Sequence, residues 1–338
     1  MIVCVGFCDC YSVINNRHVV FLSRYSQVAG SHFSALFNEL IKQSVGGELP
    51  PNDFPRVAFI PTAANAGATE TERQLLRREA EIDASRLTAD LGLETCSILE
   101  LEEFDADPLG LKRRITALAP HALWVGGGNT FYLRHFMRAS GFDSVVQELC
   151  GPGGGRDACV YVGASAGAIA GGASVKTALF KGWDNPDLSP EPLTHFRGLG
   201  LLGPNVSVFP HFSEERGHVE LISEKREAHR LGNDHTIINI EDAQAFVWSQ
   251  RGSDEEKVKD DRSRAAAVSR SFVFNGGNQF GALEHVSAPA PLPPLTPGGV
   301  AVGGVAAAGE PPVDPSRIMQ RGDSEWFEEG SPFGEAQV

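Results

Sequence analysis

The 338-residue sequence is short of three things: long hydrophobic runs, cysteines and basic residues. No stretch approaches the roughly 20 consecutive apolar residues that a transmembrane helix needs. The apolar residues 1–13 include Asp9 and no basic residue, which is unlike a secretory signal peptide. These absences predict a cytoplasmic protein that does not associate with membranes.

The charge balance is strongly acidic. The sequence has 29 lysines and arginines against 43 aspartates and glutamates, which gives a net charge of −14. Such a surface repels phosphate backbones and anionic lipids, so we expect neither nucleic acid nor a membrane as a partner. An acidic small substrate is not excluded, because a nearby basic group outweighs the net charge at short range.

The six cysteines are sparse and scattered. Cys4, Cys8 and Cys10 cluster, but no second cluster comes later in the chain to complete a metal site with them. The other three lie singly in apolar segments, which is typical of reduced cysteines in a cytosolic protein. We therefore expect no metal and no organic cofactor.

The hydrophobic pattern predicts the fold class. Short β-branched or apolar runs alternate with segments of helical spacing, and Gly92 is expected to end the longest helix. This rhythm is typical of an α/β fold with a mostly parallel sheet and helices on both faces. The expected strands are 18–22, 56–60, 95–99, 122–125, 158–162, 206–209, 236–240, and a hairpin of 245–248 with 271–274. The expected helices are 34–44, 69–91, 108–118, 130–139, 143–149, 166–170 and 213–231.

The chain is expected to form one α/β domain, residues 1–285, with residues 1–17 as an N-terminal extension. Ten of the 14 residues in 251–264 carry charges of mixed sign, which predicts a solvated loop insertion. Residues 286–338 are expected to form a disordered tail. Within it, residues 287–312 contain seven prolines and no aromatic residue, too little apolar surface to offset the entropy of ordering.

A Gly-x-Ser-x-Gly motif is the strongest chemical signal. Residues Gly163 to Gly167 connect a predicted strand to a predicted helix, with Ser165 at their centre. This is the context of a nucleophile elbow, in which the tight turn requires small residues beside the serine. It would aim the N–H of Ala166 at a developing oxyanion. The alternative is a glycine-rich junction with a capping serine.

A glycine run, Gly126-Gly127-Gly128, is the second signal. It comes directly after a predicted strand and precedes Asn129 and Thr130. Such a turn exposes backbone N–H groups at the carboxyl edge of a parallel sheet, where ligands bind. It has neither dinucleotide-binding nor phosphate-loop spacing, so a second oxyanion donor fits better than a phosphate cradle. The alternative is a tight turn with a capping side chain.

A serine nucleophile needs a base and an orienting acid. His211 comes after the strand 206–209 and is expected at the same sheet edge as Ser165, while Asp184 lies in the loop between them. Serine and histidine are only 46 positions apart, which argues against an ordinary α/β-hydrolase. The alternatives left open are His195, His218 and His235 for the base, and Asp187 and Glu191 for the acid.

Three motifs in this order resemble the peptidase E / cyanophycinase family of serine peptidases. They are Gly126–Thr130, Tyr161–Ala168 and Pro210–Phe212, within a resemblance that spans about residues 18–277. The resemblance implies a flavodoxin-like fold similar to that of class I glutamine amidotransferases, with serine in place of the cysteine at the elbow. It implies a serine-type peptidase that cleaves small peptides, classically dipeptides with N-terminal aspartate.

The resemblance also implies the site residues: Ser165 as nucleophile, His211 as general base and Asp184 as third member. It implies the N–H groups of Gly128 and Ala166 as the oxyanion hole. A Thr-Arg-Glu stretch of peptidase E, expected to read the aspartyl side chain, is replaced here. The candidates left for substrate binding are Asn129, Lys225 and Arg226.

The expected partner is a small peptide substrate, and the oligomeric state stays open, with a homodimer among the alternatives. Two other functions remain. One is an esterase or other acyl hydrolase, and the other is a catalytically silent member of the fold that binds a ligand.

Overall fold

The computed structural model describes residues 16–51, 53–151, 158–191, 195–250, 269–275 and 279–282. The charged insertion 251–264, the tail 286–338 and nearly all of the N-terminal extension lie outside these ranges, so the expectations about them stay predictions. In the described part of the chain, no helix is both long enough and apolar enough to cross a membrane.

The strands and helices alternate along the first half of the chain, as the pattern predicts. The strands are β1 (Arg17–Leu22), β2 (Arg56–Ile60), β3 (Thr95–Ile98), β4 (Ala122–Val125), β5 (Val160–Ala164), β6 (Val206–Pro210), β7 (Thr236–Ile240), β8 (Gln244–Gln250), β9 (Ser269–Asn275) and β10 (Gln279–Ala282). The helices are α1 (Tyr25–Val28), α2 (Ser31–Ser44), α3 (Glu70–Leu91), α4 (Pro108–Leu118), α5 (Thr130–Ala139), α6 (Phe142–Cys150), α7 (Ala166–Gly171) and α8 (His218–Ala228).

Eight of these strands form the main sheet, in the order β10-β9-β8-β1-β5-β4-β2-β3. The strands from β1 to β3 in that order are parallel to one another. Strands β8, β9 and β10 extend the β1 edge with antiparallel pairs. The expected mostly parallel α/β sheet is confirmed, because βα crossovers place the strands side by side in one direction.

Both faces of the sheet are buried under helices. Side chains alternate along β1: Val19 and Phe21 pack on the face covered by α4 to α7, while Val20 and Leu22 pack on the face covered by α2 and α3. The central parallel strands are apolar almost throughout because neither face meets water. Burying each such large apolar side chain contributes about 1.5–3 kcal/mol to stability.

The ends of α3 and α8 illustrate how local chemistry sets the helix boundaries. Thr69 and Glu72 form a capping box before α3, and Gly92 ends that helix with a left-handed φ of 65°, as predicted. Helix α8 is shorter than the predicted 213–231. It begins only at His218, because Gly217 has a left-handed φ of 71° and breaks the helical path.

Strand β6 does not belong to the main sheet, contrary to the expectation that it shares the edge of the strand before Ser165. It pairs in parallel with β7 in a separate two-stranded sheet. The glycines at the end of α7 allow this sheet to approach closely: a Cβ on Gly172 would lie 3.0 Å from Ser207 Cα. The carboxyl ends of β5 and β6 nevertheless converge, because Ser165 and His211, the residues just beyond them, are in hydrogen-bond contact.

Candidate active site

Ser165 lies in a sharp turn between β5 and α7. Its backbone has φ 49° and ψ −108°, a conformation that non-glycine residues rarely adopt. A Cβ on Gly163 would lie 2.5 Å from Gly167 O, and one on Gly167 would lie 2.2 Å from Val125 O. Glycines are therefore required on both sides of Ser165, because backbone packs directly on backbone. Strained residues of this kind cost about 1–3 kcal/mol and concentrate at functional sites.

His211 is the residue that contacts the Ser165 hydroxyl. It comes directly after β6, and its Nε2 lies 3.0 Å from Ser165 Oγ. The His211 backbone also has a left-handed φ, 54°. Its N–H donates to Ser23 Oγ, at 2.6 Å, just beyond the end of β1. Three strand ends thus meet at this histidine, and the pairing expected between Ser165 and His211 is present in the structure.

The carboxylate that contacts His211 is that of Asp242, in the turn between β7 and β8. Its Oδ1 lies 2.5 Å from His211 Nδ1 and accepts a second hydrogen bond from Ser23 Oγ at 2.9 Å. An Arg24 guanidinium nitrogen lies 3.7 Å from the other oxygen, Oδ2. The hydrogen bond from His211 holds the pKa of Asp242 well below its usual range, against the opposing effect of burial. Asp242 is therefore an ionised acceptor for the imidazole.

Asp184, predicted to orient His211, lies elsewhere. It accepts a hydrogen bond from Thr130 Oγ1 at 2.5 Å, at the start of α5. Burial raises its pKa, and the hydrogen bond from Thr130 opposes that rise only in part. The assignment of Asp184 to the third position is thus corrected to Asp242. The alternatives Asp187 and Glu191 are exposed loop residues.

The three alternative histidines are occupied by structural hydrogen bonds. The Nδ1 atoms of His218 and His195 accept from the backbone N–H of Ser213 and Arg197, at 3.0 and 3.4 Å. His235 Nε2 lies 2.8 Å from Ser207 Oγ, inside the β6–β7 unit. These contacts give each of the three histidines a structural role, so a catalytic role is not needed to explain them.

The glycine run packs against Ser165. A Cβ on Gly127 would lie 3.2 Å from Ser165 Cβ, so the backbone of the run borders the serine. Gly128 has φ 133°, and a Cβ there would lie 2.2 Å from Ala63 O. The N–H of Asn129 donates to that same Ala63 oxygen at 2.8 Å. Position 128 can therefore only be glycine, and the loop is tightly packed between Ser165 and the turn that contains Ala63.

The expected substrate-binding side chains have other partners in the structure. Asn129 Oδ1 accepts from the N–H groups of Phe131 and Tyr132, which caps α5. Arg226 donates to backbone carbonyls of the loop after α8, including that of His235. Lys225 pairs with its neighbour Glu224 at 3.1 Å. These contacts stabilise local structure.

A hollow of about 410 Å³ lies against Trp183, and neither Ser165 nor His211 lines it. Trp183, which is 42% exposed, lies on the hollow's wall, and its ring centre is 5.9 Å from that of the His211 ring at a tilted angle of 58°. Neither Lys225 nor Arg226 lines it, whereas two other basic residues do, Lys181 and Arg216. The lining residues are Phe180, Lys181, Trp183, Arg216, Gly217, His218, Glu220, Leu221 and Glu224.

The sequence of residues 28–254 matches the model of peptidase family S51, over well more than half of the chain. The chain belongs to peptidase family S51. It is therefore a hydrolase of the serine peptidase class. This confirms the family resemblance inferred from the three motifs.

Two solved structures are similar to this S51 chain. One is a candidate peptidase E protein from Listeria monocytogenes EGD-e, with 21% identity, covering 71% of this chain and 100% of that chain at a TM-score of 0.44. The other is a peptidase from an acI-B1 actinobacterium, with 15% identity, covering 81% of this chain and 96% of that chain at a TM-score of 0.44. No curated protein is similar enough to count as a match.

The S51 match begins at residue 28 and so omits Ser23, one of three site residues that sequence reasoning missed. Ser23 and Asp242 come just after β1 and β7, and such strand-end polar residues are the available signal. Lys181 gives no such signal, because it lies in an irregular loop. Its Nζ donates to the carbonyl oxygens of Pro210 and His211.

Proposed function

We propose that this S51 peptidase is a dipeptidase of the peptidase E type, which cleaves small peptides through Ser165, His211 and Asp242. The observation that carries the proposal is the continuous hydrogen-bonded series from Ser165 Oγ through the imidazole to Asp242 Oδ1. A serine hydroxyl is a weak nucleophile until an adjacent base takes its proton, and a buried carboxylate keeps that base in the required tautomer.

In the proposed reaction, His211 Nε2 accepts the hydroxyl proton as Ser165 Oγ bonds to the scissile carbonyl carbon. Asp242 stabilises the imidazolium that forms and stays ionised itself, consistent with its lowered pKa. The tetrahedral intermediate collapses, the C–N bond breaks, and His211 returns the proton to the leaving amine. Water then attacks the acyl-enzyme with His211 again as the base, which releases the acid product and restores Ser165.

The proposed oxyanion hole consists of the backbone N–H groups of Gly128 and Ala166. Two features support it: the glycine run borders Ser165, and Ala166 is the first residue of α7. Removing one such donor typically costs about 10²–10³ in kcat, because the donors act where charge develops. The strained turn and the clamped glycine loop would keep both donors in place without reorganisation.

The hollow lined by Trp183, whose ring contacts that of His211, has room for a substrate of dipeptide size. Its volume of about 410 Å³ is within the range of about 300–1,000 Å³ typical of small-molecule sites. The lining of Arg216, Glu220 and Glu224 suits a free peptide that carries charges of both signs. We propose no preferred side chain for the substrate, and dipeptides with N-terminal aspartate belong to the panel to be tested.

The test is hydrolysis of a panel of free dipeptides and of the same peptides blocked at either end. Ser165→Ala and His211→Ala should each reduce kcat by several orders of magnitude, since triad residues act as a unit. A variant with retained activity would remove its residue from the mechanism. Release of p-nitrophenol from p-nitrophenyl acetate without cleavage of any peptide would favour the acyl-hydrolase alternative. A purified wild-type protein that does neither would favour the silent binding alternative.

A further inference from the structure

Lys181 donates hydrogen bonds to the main-chain carbonyl oxygens on both sides of the His211 Cα. Its Nζ donates to Pro210 O at 2.6 Å and to His211 O at 2.7 Å. Neither carbonyl belongs to the reacting groups, so Lys181 contacts the histidine only through its main chain. On the opposite side, the N–H of His211 donates to Ser23 Oγ. The backbone of His211 is thus fixed from both sides.

The lysine ammonium is itself held firmly. It lies 4.3 Å from the centre of the Trp183 ring and 4.2 Å from that of Phe209, which is cation–π distance. Burial lowers the pKa of Lys181 to about 7, with Asp242 opposing and Arg216 adding to that effect. Burial disfavours the charged form of Lys181, but its ammonium still has two carbonyl oxygens as hydrogen-bond acceptors. The side chain is therefore an integral part of the site.

The His211 backbone requires such support. It has a left-handed φ of 54° directly after β6, a conformation that costs energy for any residue with a Cβ. Relaxing it towards a right-handed value would rotate the imidazole away from Ser165 Oγ, now 3.0 Å from Nε2. A displacement of about 1 Å in a catalytic group can cost 10²-fold in rate.

We propose that Lys181 is a positioning residue, which fixes the main chain at Pro210 and His211 so that the His211 imidazole stays in reach of Ser165. The inference rests on the proposed function and adds a residue to it. Lys181 neither donates nor accepts the proton that is transferred, and its role is expressed only through His211.

The test compares Lys181→Met with Lys176→Met. Methionine keeps an unbranched stem between the two rings but has no hydrogen-bond donor. Lys176 is a matched control: its Nζ also donates to a main-chain carbonyl, His229 O at 2.8 Å, and lies 5.9 Å from the Phe196 ring. The readouts are the rate at which a fluorophosphonate labels Ser165, and kcat and KM on a cleaved dipeptide.

We expect Lys181→Met to lower the labelling rate and kcat together, by about 10- to 100-fold, with KM changed less than about 2-fold. Lys176→Met should leave all three at wild-type values. A folded Lys181→Met that labels at the wild-type rate would overturn the inference, as would an equal loss in both variants. If Lys181→Met does not fold, Lys181→Leu, which also has no hydrogen-bond donor, takes its place with the same expectations.

A second readout separates this inference from the proposed function. The proton between His211 Nδ1 and Asp242 should give a downfield NMR resonance in the wild type, which His211→Ala abolishes. Lys181→Met should broaden or shift it, and an unchanged resonance would overturn the positioning role whatever the substrate. Wild-type protein that fluorophosphonate does not label at Ser165 would instead reject the proposed function, and the positioning role with it.

Discussion

Asp242 and Asp184 differ in their surroundings more than in their position in the chain. Asp242 accepts hydrogen bonds from His211 and Ser23, which favour its ionised form. Asp184 is half-buried, its hydrogen-bond donors belong to Thr130, and desolvation outweighs them in favour of its neutral form. A carboxylate that orients an imidazole must stay ionised, so the environment of Asp242 suits that role.

The two aspartates form a matched pair for kinetics. Asp242→Asn should lower kcat by about 10²–10⁴, because an amide cannot accept the Nδ1 proton and stabilise an imidazolium as a carboxylate does. Asp184→Asn should change kcat less than about 10-fold, since its contact is with Thr130. Steady-state hydrolysis of a cleaved dipeptide measures both. The reverse order of effects would return Asp184 to the third position.

The opposite pKa shifts of Asp242 and Asp184 predict opposite changes in folding stability with pH. The lowered pKa of Asp242 stabilises the fold above the unfolded pKa of about 4, and that contribution is lost as pH falls through the folded pKa. The contribution from the raised pKa of Asp184 is fully present below the unfolded pKa of about 4, and it is lost as pH rises through the folded pKa. From pH 3 to 7, Asp242→Asn should therefore lose stability relative to wild type, and Asp184→Asn should gain it. Urea unfolding at each pH measures the difference, and two trends of the same sign would contradict the assignment.

Ser23 links three groups of the site through one hydroxyl. It accepts from the His211 N–H, donates to Asp242 and lies 3.1 Å from His211 Nδ1. Ser23→Ala should lower kcat by about 10-fold, with KM nearly unchanged, and should lower the Tm by a few degrees as buried donors lose a partner. Kinetics and thermal unfolding of the same preparation test this, and wild-type values in both would show that Asp242 alone holds the imidazole.

At the scale of elements, the site is built from the turns at the carboxyl ends of the strands. Turns after β1, β4, β5, β6 and β7 supply Ser23, the glycine run, Ser165, His211 and Asp242. The strands thereby fix the site residues on short turns, and two of these turns contain a non-glycine residue with positive φ. Preorganisation of this kind comes from packing, because strain persists only where the surroundings enforce it.

The glycine loop should tolerate substitution by alanine far less than a glycine with open space around it does. A Cβ on Gly128 would lie 2.2 Å from Ala63 O, whereas one on Gly92 meets nothing within 4 Å. Gly128→Ala should displace the loop from Ser165 and lower fluorophosphonate labelling by at least about 10-fold. Gly92→Ala should cost only about 1 kcal/mol of stability, for its left-handed φ, and leave labelling intact. Equal labelling in both variants would contradict a role for the loop in the oxyanion hole.

At the scale of the whole molecule, the sheet extends beyond the S51 match. Strand β1 ends at Leu22, before the match begins at residue 28, yet it pairs with both β5 and β8 in the middle of the sheet. Strands β9 and β10 come after the match ends at 254 and continue the sheet from β8. The matched region therefore lacks three of the eight strands described for the main sheet, β1, β9 and β10.

A fragment of residues 28–254 should fail to fold, because it exposes the β5 and β8 edges and lacks Ser23. A fragment of residues 16–285 should keep the sheet and the reactive serine. Circular dichroism, gel filtration and labelling of Ser165 compare the two. A cooperative thermal transition in the shorter fragment would show that β1 is dispensable to the core.

Residue patterns were sufficient for most of the helices and strands and for two residues of the site, Ser165 and His211. The βα rhythm, Gly92 as the end of α3, and the strand–turn–helix around Ser165 all depend on neighbours within a few positions, and they are confirmed. The pairing of β6 with β7 in a separate sheet was not predicted, and the carboxylate that contacts His211 is Asp242, which was not among the candidates Asp184, Asp187 and Glu191. Both depend on which distant segments pack together, and hydrophobic periodicity does not encode that.

By itself, the sequence determined the α/β class, the family motifs and the two residues that meet at the centre, Ser165 and His211. Their signals are local: turn geometry demands glycine, and a polar residue interrupts apolar strands. Only the tertiary structure decided that Ser23, Lys181 and Asp242 surround that histidine. These three lie 188, 30 and 31 positions from His211 in the chain. Folding joins them because the strand ends and the loop that contains Lys181 converge on a single point.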